Sequence, residues 1–228
     1  MVDLVDFRAR PNVAGGALNA DGASHGTHGF YPAFKRIFDV VAVLISVPIV
    51  LPLIAILAVL VKLDGGAAFF GQPRVGINGR SFNCWKLRTM VVAAEEKLHE
   101  YLEKNPAARA EWDESQKLTN DPRITRLGRI LRKLSADELP QLWNVLTGDM
   151  SLVGPRPMLP SQRSLYPGSA YYGIRPGLTG LWQISDRNKC SFAGRAKFDT
   201  TYVNTVSFWV DMRILLKTVR VVINGTGM

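Results

Sequence analysis

Residues 40 to 61 read VVAVLISVPIVLPLIAILAVLV, 22 positions without a charged side chain. At about 1.5 Å of rise per helical residue, such a run can cross a hydrocarbon core of about 30 Å. It is apolar on every face, unlike a helix packed on one side of a small soluble domain. Insertion into a membrane is therefore expected. Pro48 and Pro52 stand in its middle. Each lacks a backbone donor and crowds the preceding turn, so a straight span is disfavoured and a sharp bend is expected. Ser46 can satisfy a freed carbonyl through its hydroxyl. Lys35 and Arg36 before the run and Lys62 after it give no charge asymmetry with which to orient a span. A re-entrant hairpin puts all three cations on one membrane face and is preferred here. A kinked span is the alternative.

Upstream, residues 1–30 include NVAGGALNADGASHGTHGF, rich in small and polar residues without periodicity, which predicts a flexible tail. It has neither the basic start nor the early apolar core of a secretory signal. The chain carries a formal net charge of +9, yet the tail holds two arginines against three aspartates, so the basic excess lies in the rest. That excess points to anionic partners: phosphate, nucleotide or lipid headgroup. Two cysteines exclude a disulfide framework, and three histidines, two of them in the tail, argue against a histidine triad or a histidine-rich metal centre. Acid–base or nucleophilic chemistry must then come from carboxylates, lysines or hydroxyls.

Downstream, from about residue 65, the pattern is that of a soluble domain. AAFFGQPRVGINGRSFNCWKLRTM (67–90) places β-type residues around Asn78-Gly79, the strongest short hairpin signal. Residues 91–117 read as helix, interrupted at Asn105-Pro106. Ile124, Leu127, Leu131 and Leu134 recur at helical spacing with cations between them. VSFWVDMRILLKTVRVVI (206–223) repeats the pattern with Arg213, Lys217 and Arg220. Both basic helices suit either core packing or docking on anionic headgroups.

SADELPQLW (135–143) sets Asp137 beside Glu138 just after the basic run Arg123, Arg126, Arg129, Arg132 and Lys133. Ser135 and Glu138 match the two ends of a capping box, which would start a helix and mean nothing more. Alternatively, the acids act on an anionic substrate held by the cations. Farther on, SLVGPRP (151–157) holds Arg156 between Pro155 and Pro157, a stiff mount for a guanidinium that grips phosphate. RPGLTGLWQISDR (175–187), with Arg175 and Arg187, is too rich in Gly and Pro for a regular element and too apolar for an idle loop, so it reads as a binding loop.

KRIFD, the interrupted apolar run, WKLRTM, DPRITRLG, SADELPQLWNVLTGDMSLVGPRP and RPGLTGLWQIS follow one another in an order that resembles the bacterial sugar transferase family, across about residues 31–223. These are small monotopic polyprenyl-phosphate sugar-1-phosphate transferases, or phosphoglycosyltransferases. The similarity is greatest to the type that primes exopolysaccharide synthesis with galactose phosphate. The resemblance implies that Asp137 is the nucleophile and Glu138 its partner, the two also meeting Mg2+. It implies phosphate contacts at Lys86, Arg132 and Arg156, a late D-x-x-Y pair at Asp199 and Tyr202, and a break of the re-entrant helix at Pro48 beside Ser46, while substrate contacts at Arg175 and Arg187 rest on the binding-loop reading of 175–187. Ala136, where leucine is commoner, and Asp186, where glycine is commoner, depart from the family pattern.

The implied fold is α+β and mostly helical. A tail (1–30) and a membrane-inserted re-entrant helical hairpin (31–64) precede a cytosolic catalytic domain (65–228) with a small β-hairpin and interfacial amphipathic helices. The implied reaction moves hexose 1-phosphate from a UDP-hexose to undecaprenyl phosphate through an aspartyl intermediate, releasing UMP, on the cytoplasmic face of the bacterial inner membrane. Galactose or glucose is the expected sugar. Partners are those two substrates and anionic lipids, with a homo-oligomer allowed and nucleic acid not expected. Two rivals stay open: a glycosyltransferase that releases UDP, and a non-catalytic basic module tethered to a membrane. Capping and catalysis can coexist, the positive end of a helix begun at Ser135 favouring anions, although Pro140 must kink that helix or move its start.

Overall fold

The computed structural model describes residues 31–115, 118–185 and 192–223. The tail, Asp186 and Arg187 lie outside them. The helices are α1 (Tyr31–Lys62), α2 (Ala94–Lys104), α3 (Pro106–Ser115), α4 (Arg126–Lys133), α5 (Gln141–Thr147), α6 (Arg195–Thr205) and α7 (Phe208–Ile223). The strands are β1 (Phe69–Val75), β2 (Ser81–Leu87), β3 (Ser151–Val153) and β4 (Gly177–Thr179). The architecture is mostly helical with a small β-hairpin, as expected, and has a second two-stranded sheet that was not.

The apolar run forms one long helix. Its helical backbone continues through Pro48 and Pro52, so no interruption marks the expected break. Each proline deletes one donor and leaves the rest of the hydrogen-bond ladder to hold. Most of the apolar side chains along the middle of α1 are exposed, Ile49 at 76%.

Asn78-Gly79 turns the chain between β1 and β2, which pair as a two-stranded sheet. Asn78 (φ 56°) and Gly79 (φ 74°) both adopt the left-handed backbone that this dipeptide favours in hairpin turns. Helix α2 ends at Asn105 and α3 restarts at Pro106, where the missing donor costs nothing. One element was not expected: β3 and β4 form a short parallel pair, with Ser151 opposite Gly177 and Val153 opposite Thr179. A side chain at Gly177 would place its Cβ 2.0 Å from the Gly154 amide, so only glycine lets the strands approach. The glycines that suggested a loop are what make the pairing possible.

Two compact units share the chain. Among the described residues, the first comprises those of 31–45, 73–83 and 144–220, and the second those of 46–72, 84–143 and 221–223. The first unit is built on Val75, Met158, Tyr166 and Tyr171, and on Val153, Leu181, Ile184, Tyr202 and Ile214. The early part of α1 is fastened into it. Tyr31 and Lys35 both donate to the Asp211 carboxylate, and Arg36 donates to the Val145 and Leu146 carbonyls. Asp39 accepts from Ser151 Oγ at 2.6 Å, and Phe34 and Phe38 meet Phe208 edge-on. Lys35 and Arg36 thus spend their donors inside the fold.

The second unit is built on Val61, Leu87 and Leu131, with Leu57, Ala58, Leu127 and Ala136 against them. Burying a leucine side chain of this kind contributes on the order of 2 kcal/mol. Arg88 of the WKLRTM segment donates to the Val61 carbonyl at 3.0 Å, beside the Asp64 amide at 3.3 Å, and so helps to close the end of α1. Its other nitrogens reach the Ala67 and Met90 carbonyls.

Candidate active site

The acid pair lies in the second unit. Thr125 caps α4, its side chain accepting from the Gly128 amide at 2.9 Å. The helix ends at Leu134, and Ser135 follows with a left-handed backbone (φ 55°). That is the conformation of a residue that terminates a helix, not of one that starts it. Ala136–Glu138 is a single 3-10 turn, and the Ser135 side chain caps nothing there. The capping box is therefore absent, because Glu138 turns its carboxylate outward to Lys86 on β2, 2.7 Å away. Helix α5 begins only at Gln141, immediately past Pro140. The proline has moved the start, and the expected helix-end stabilisation by a helix begun at Ser135 falls with it.

What remains at the turn is the acid pair itself. Asp137 is 9% exposed. Burial, reinforced by the negative charge of Glu138, pushes its carboxyl above the usual range, and the positive charges of Lys86 and Arg132 oppose that shift. Arg132 is aimed by its Nε bond to Thr89 Oγ1 at 2.9 Å. Lys86, Arg132, Asp137 and Glu138, taken from three separate motifs, are thus brought into one neighbourhood.

Asp121 and Arg123 of DPRITRLG form a two-pronged pair, Nε to Oδ1 at 2.9 Å and Nη2 to Oδ2 at 2.6 Å. Burial pushes Asp121 up, but its bonds from Arg123 outweigh that and hold it below the usual carboxylate range. The Arg123 guanidinium also lies over Trp112 at 5.1 Å. This brace went unnoticed in the sequence, although the D-x-R spacing could have suggested it.

The first unit holds Arg156, Arg175, Asp199 and Tyr202. Arg156 stands in the loop after β3. Arg175 donates from Nε to the Gly148 carbonyl at 2.8 Å, bracing its own loop. Asp199, 3% exposed, accepts from the Tyr166 hydroxyl at 2.9 Å. Burial pushes its carboxyl up to about 6, against the pull of Arg195 and of that bond. Tyr202, 1% exposed, donates to Asp211 at 2.7 Å, with the Val153 carbonyl 3.1 Å away. The two D-x-x-Y residues therefore have different internal partners. Asp211 was missed because its partners Tyr31 and Lys35 lie more than 170 positions away.

Among the described residues, no three histidine, cysteine or acidic side chains gather as a metal cluster. Asp137 and Glu138 nonetheless offer two carboxylates. Mg2+ commonly binds through one or two carboxylates with substrate phosphates completing its shell. The donor set fits that kind of site and no all-protein cage.

A family model for bacterial sugar transferases matches residues 30–225. A UDP-galactose-lipid carrier transferase of Erwinia amylovora is 51% identical over 195 residues, 85% of this chain and 41% of that protein. An undecaprenyl-phosphate galactose phosphotransferase of Salmonella typhimurium is 48% identical, again over 85% of this chain and 41% of its own length. The exopolysaccharide production protein ExoY of Rhizobium meliloti is 48% identical over 85% of this chain and 87% of its own length. The chain therefore spans about two fifths of the two longer relatives and most of the shorter one. With its acid pair and all of its described residues inside that match, the chain belongs to the bacterial sugar transferase family.

Proposed function

We propose that this chain is a sugar-1-phosphate transferase that moves hexose 1-phosphate from a UDP-hexose to undecaprenyl phosphate, the priming step of exopolysaccharide synthesis. The observation that carries it is the Asp137–Glu138 pair, shaped by no capping role and set among Lys86 and Arg132. The names of two relatives, the UDP-galactose-lipid carrier transferase and the undecaprenyl-phosphate galactose phosphotransferase, favour galactose as the sugar.

An oxygen of the Asp137 carboxylate bonds to the β-phosphorus of the donor as the bond from that phosphorus to the bridging oxygen breaks. UMP leaves with the electron pair. A phosphate oxygen of undecaprenyl phosphate then attacks the same phosphorus, the acyl-phosphate bond breaks, and the Asp137 carboxylate is restored. Two displacements replace one direct encounter between two anions. Lys86, held by Glu138, and Arg132, held by Thr89, are placed to balance charge on the transferring phosphoryl group. Arg156, on the family resemblance, and Arg175 and Arg187, on the binding-loop reading of 175–187, are proposed as further substrate contacts. Mg2+, held by Asp137 and Glu138, would neutralise the diphosphate and ease departure of UMP.

The proposed setting is the cytoplasmic face of the inner membrane, where UDP-sugars are found, with α1 re-entrant. Support for re-entry comes from Pro48 and Pro52, each of which removes a backbone donor in the middle of the apolar run and weakens a straight span.

Purified protein incubated with undecaprenyl phosphate, Mg2+ and a panel of UDP-sugars should release UMP with one or two of them. Release of UDP would instead identify a glycosyltransferase that cleaves the sugar C–O bond. Binding to anionic vesicles without any nucleotide product would leave only a lipid-binding module.

A further inference from the structure

The loop that carries Arg156 is held at every residue from Gly154 to Pro157. The Gly154 amide donates to the Thr179 carbonyl at 2.9 Å, and the Pro155 carbonyl accepts from the Gly177 amide at 2.8 Å. Past that point the restraints change in kind. The Arg156 carbonyl accepts from Nη2 of Arg195, and the Pro157 carbonyl accepts from Nη1 of Arg74 at 2.9 Å. Pro155 and Pro157 have no amide hydrogens and fixed φ angles, so the peptide at Arg156 is set by these few bonds.

Arg195 is an unusual choice for such a bond. It is 6% exposed and lies between two aromatic faces, 5.1 Å from the Trp182 ring and 5.0 Å from that of Phe192. Its Nε has no hydrogen-bond partner among the described residues. Burial disfavours its charge, the nearby Arg156 adds repulsion, and Asp199 offsets part of both. A buried guanidinium beside a like charge is costly unless something else requires it. The flat fork can stack on both rings and still aim one nitrogen at a carbonyl, which an ammonium cannot do.

We propose that Arg195 is a positioning residue for Arg156. Its guanidinium, clamped by Trp182 and Phe192, holds the Arg156 carbonyl and thereby fixes where the Arg156 side chain meets substrate phosphate. This rests on the reading above that Arg156 contacts the substrate. The clamp also ties the GLWQIS segment to the GPRP loop, two motifs that share no residue.

A double-mutant cycle on the full-length chain in detergent tests it. Arg195→Lys keeps the charge and loses the fork, and it should lower kcat/KM for UDP-galactose and the affinity for UMP by roughly 10- to 100-fold, as expected for a misplaced contact. In an Arg156→Ala background the same change should cost less than about threefold, because the residue it positions is gone. UMP affinity closes the cycle even where turnover is too slow to measure. Equal losses in both backgrounds, or no loss in the single variant, would overturn the proposal. Should Arg195→Lys melt early, Phe192→Leu, which removes one stacking face and keeps the guanidinium, replaces it under the same criteria. Wild-type protein that releases no UMP from any UDP-sugar defeats the transfer reading instead, while the UMP-affinity cycle still decides whether residues 195 and 156 act together.

Discussion

A carboxylate must be ionised to attack phosphorus, and Asp137 sits where ionisation is opposed by burial and by its neighbour Glu138. Asp137→Asn is nearly isosteric and a poor nucleophile. UMP release should fall by at least about 1,000-fold, in line with losing a sole nucleophile. The melting temperature at pH 7 should hold or rise, since a neutral amide escapes the cost of burial. Substantial UMP release by pure Asp137→Asn would assign the nucleophile elsewhere. Asp199 makes the pH argument quantitative. Its pKa of about 6 lies above the ordinary 3.8, so the folded chain keeps this proton to higher pH than the unfolded chain. That contribution to stability is fully present at low pH, is lost as pH rises from about 4 to about 6, and stays lost above. Asp199→Asn keeps an acceptor for Tyr166 and removes the charge. Above pH 6 it should be more stable than wild type, by up to about 3 kcal/mol on the linkage arithmetic. Denaturant midpoints at pH 4 and pH 7 check this. A variant less stable at pH 7 would mean that the Asp199 charge is needed to balance Arg195.

Among the elements, α1 carries the sharpest open choice. In the proposed re-entrant course the tail and the proposed catalytic residues share one side of the membrane; in a span the tail is on the other. Single cysteines placed in the tail of a variant lacking Cys84 and Cys190 should resist a membrane-impermeant thiol reagent in intact cells. Labelling without lysis would reject re-entry. Helical backbone runs through Pro48 and Pro52, so the prolines act by weakening the ladder and not by ending the helix. Replacing both with alanine should therefore raise the labelled fraction. If labelling stays absent, the fastening of Lys35, Arg36 and Asp39 into the first unit is what holds the topology.

At the scale of the whole molecule, two forces could bring this chain to a membrane. One is the net charge of +9, which salt screens within about 3 Å at 1 M. The other is burial of apolar surface, which salt does not weaken. Exposed apolar residues line α1, and Trp209, 77% exposed, and Leu216 add to them on α7. Washing membranes with 1 M salt should leave the protein bound, and detergent should release it. Release by salt alone would mean that α1 is not inserted and that attraction to anionic headgroups holds the chain.

The membrane-length run, the hairpin at Asn78-Gly79 and the helix restart at Pro106 were all legible in the sequence, because each rests on neighbours within a few positions. So was the family, through motifs long enough to fix their own order. The fate of Ser135 was not legible. S-x-x-E fits a capping box locally, and only the position of Lys86, 52 residues from Glu138, decides that the glutamate pairs with the lysine. The parallel pair of β3 and β4 and the role of Asp211 were hidden for the same reason. Local chemistry proposes turns, caps and inserted runs from short-range sterics and hydrophobicity. Which carboxylate meets which cation, and which glycine meets which backbone, depends on contacts between distant segments that exist only after the chain has folded.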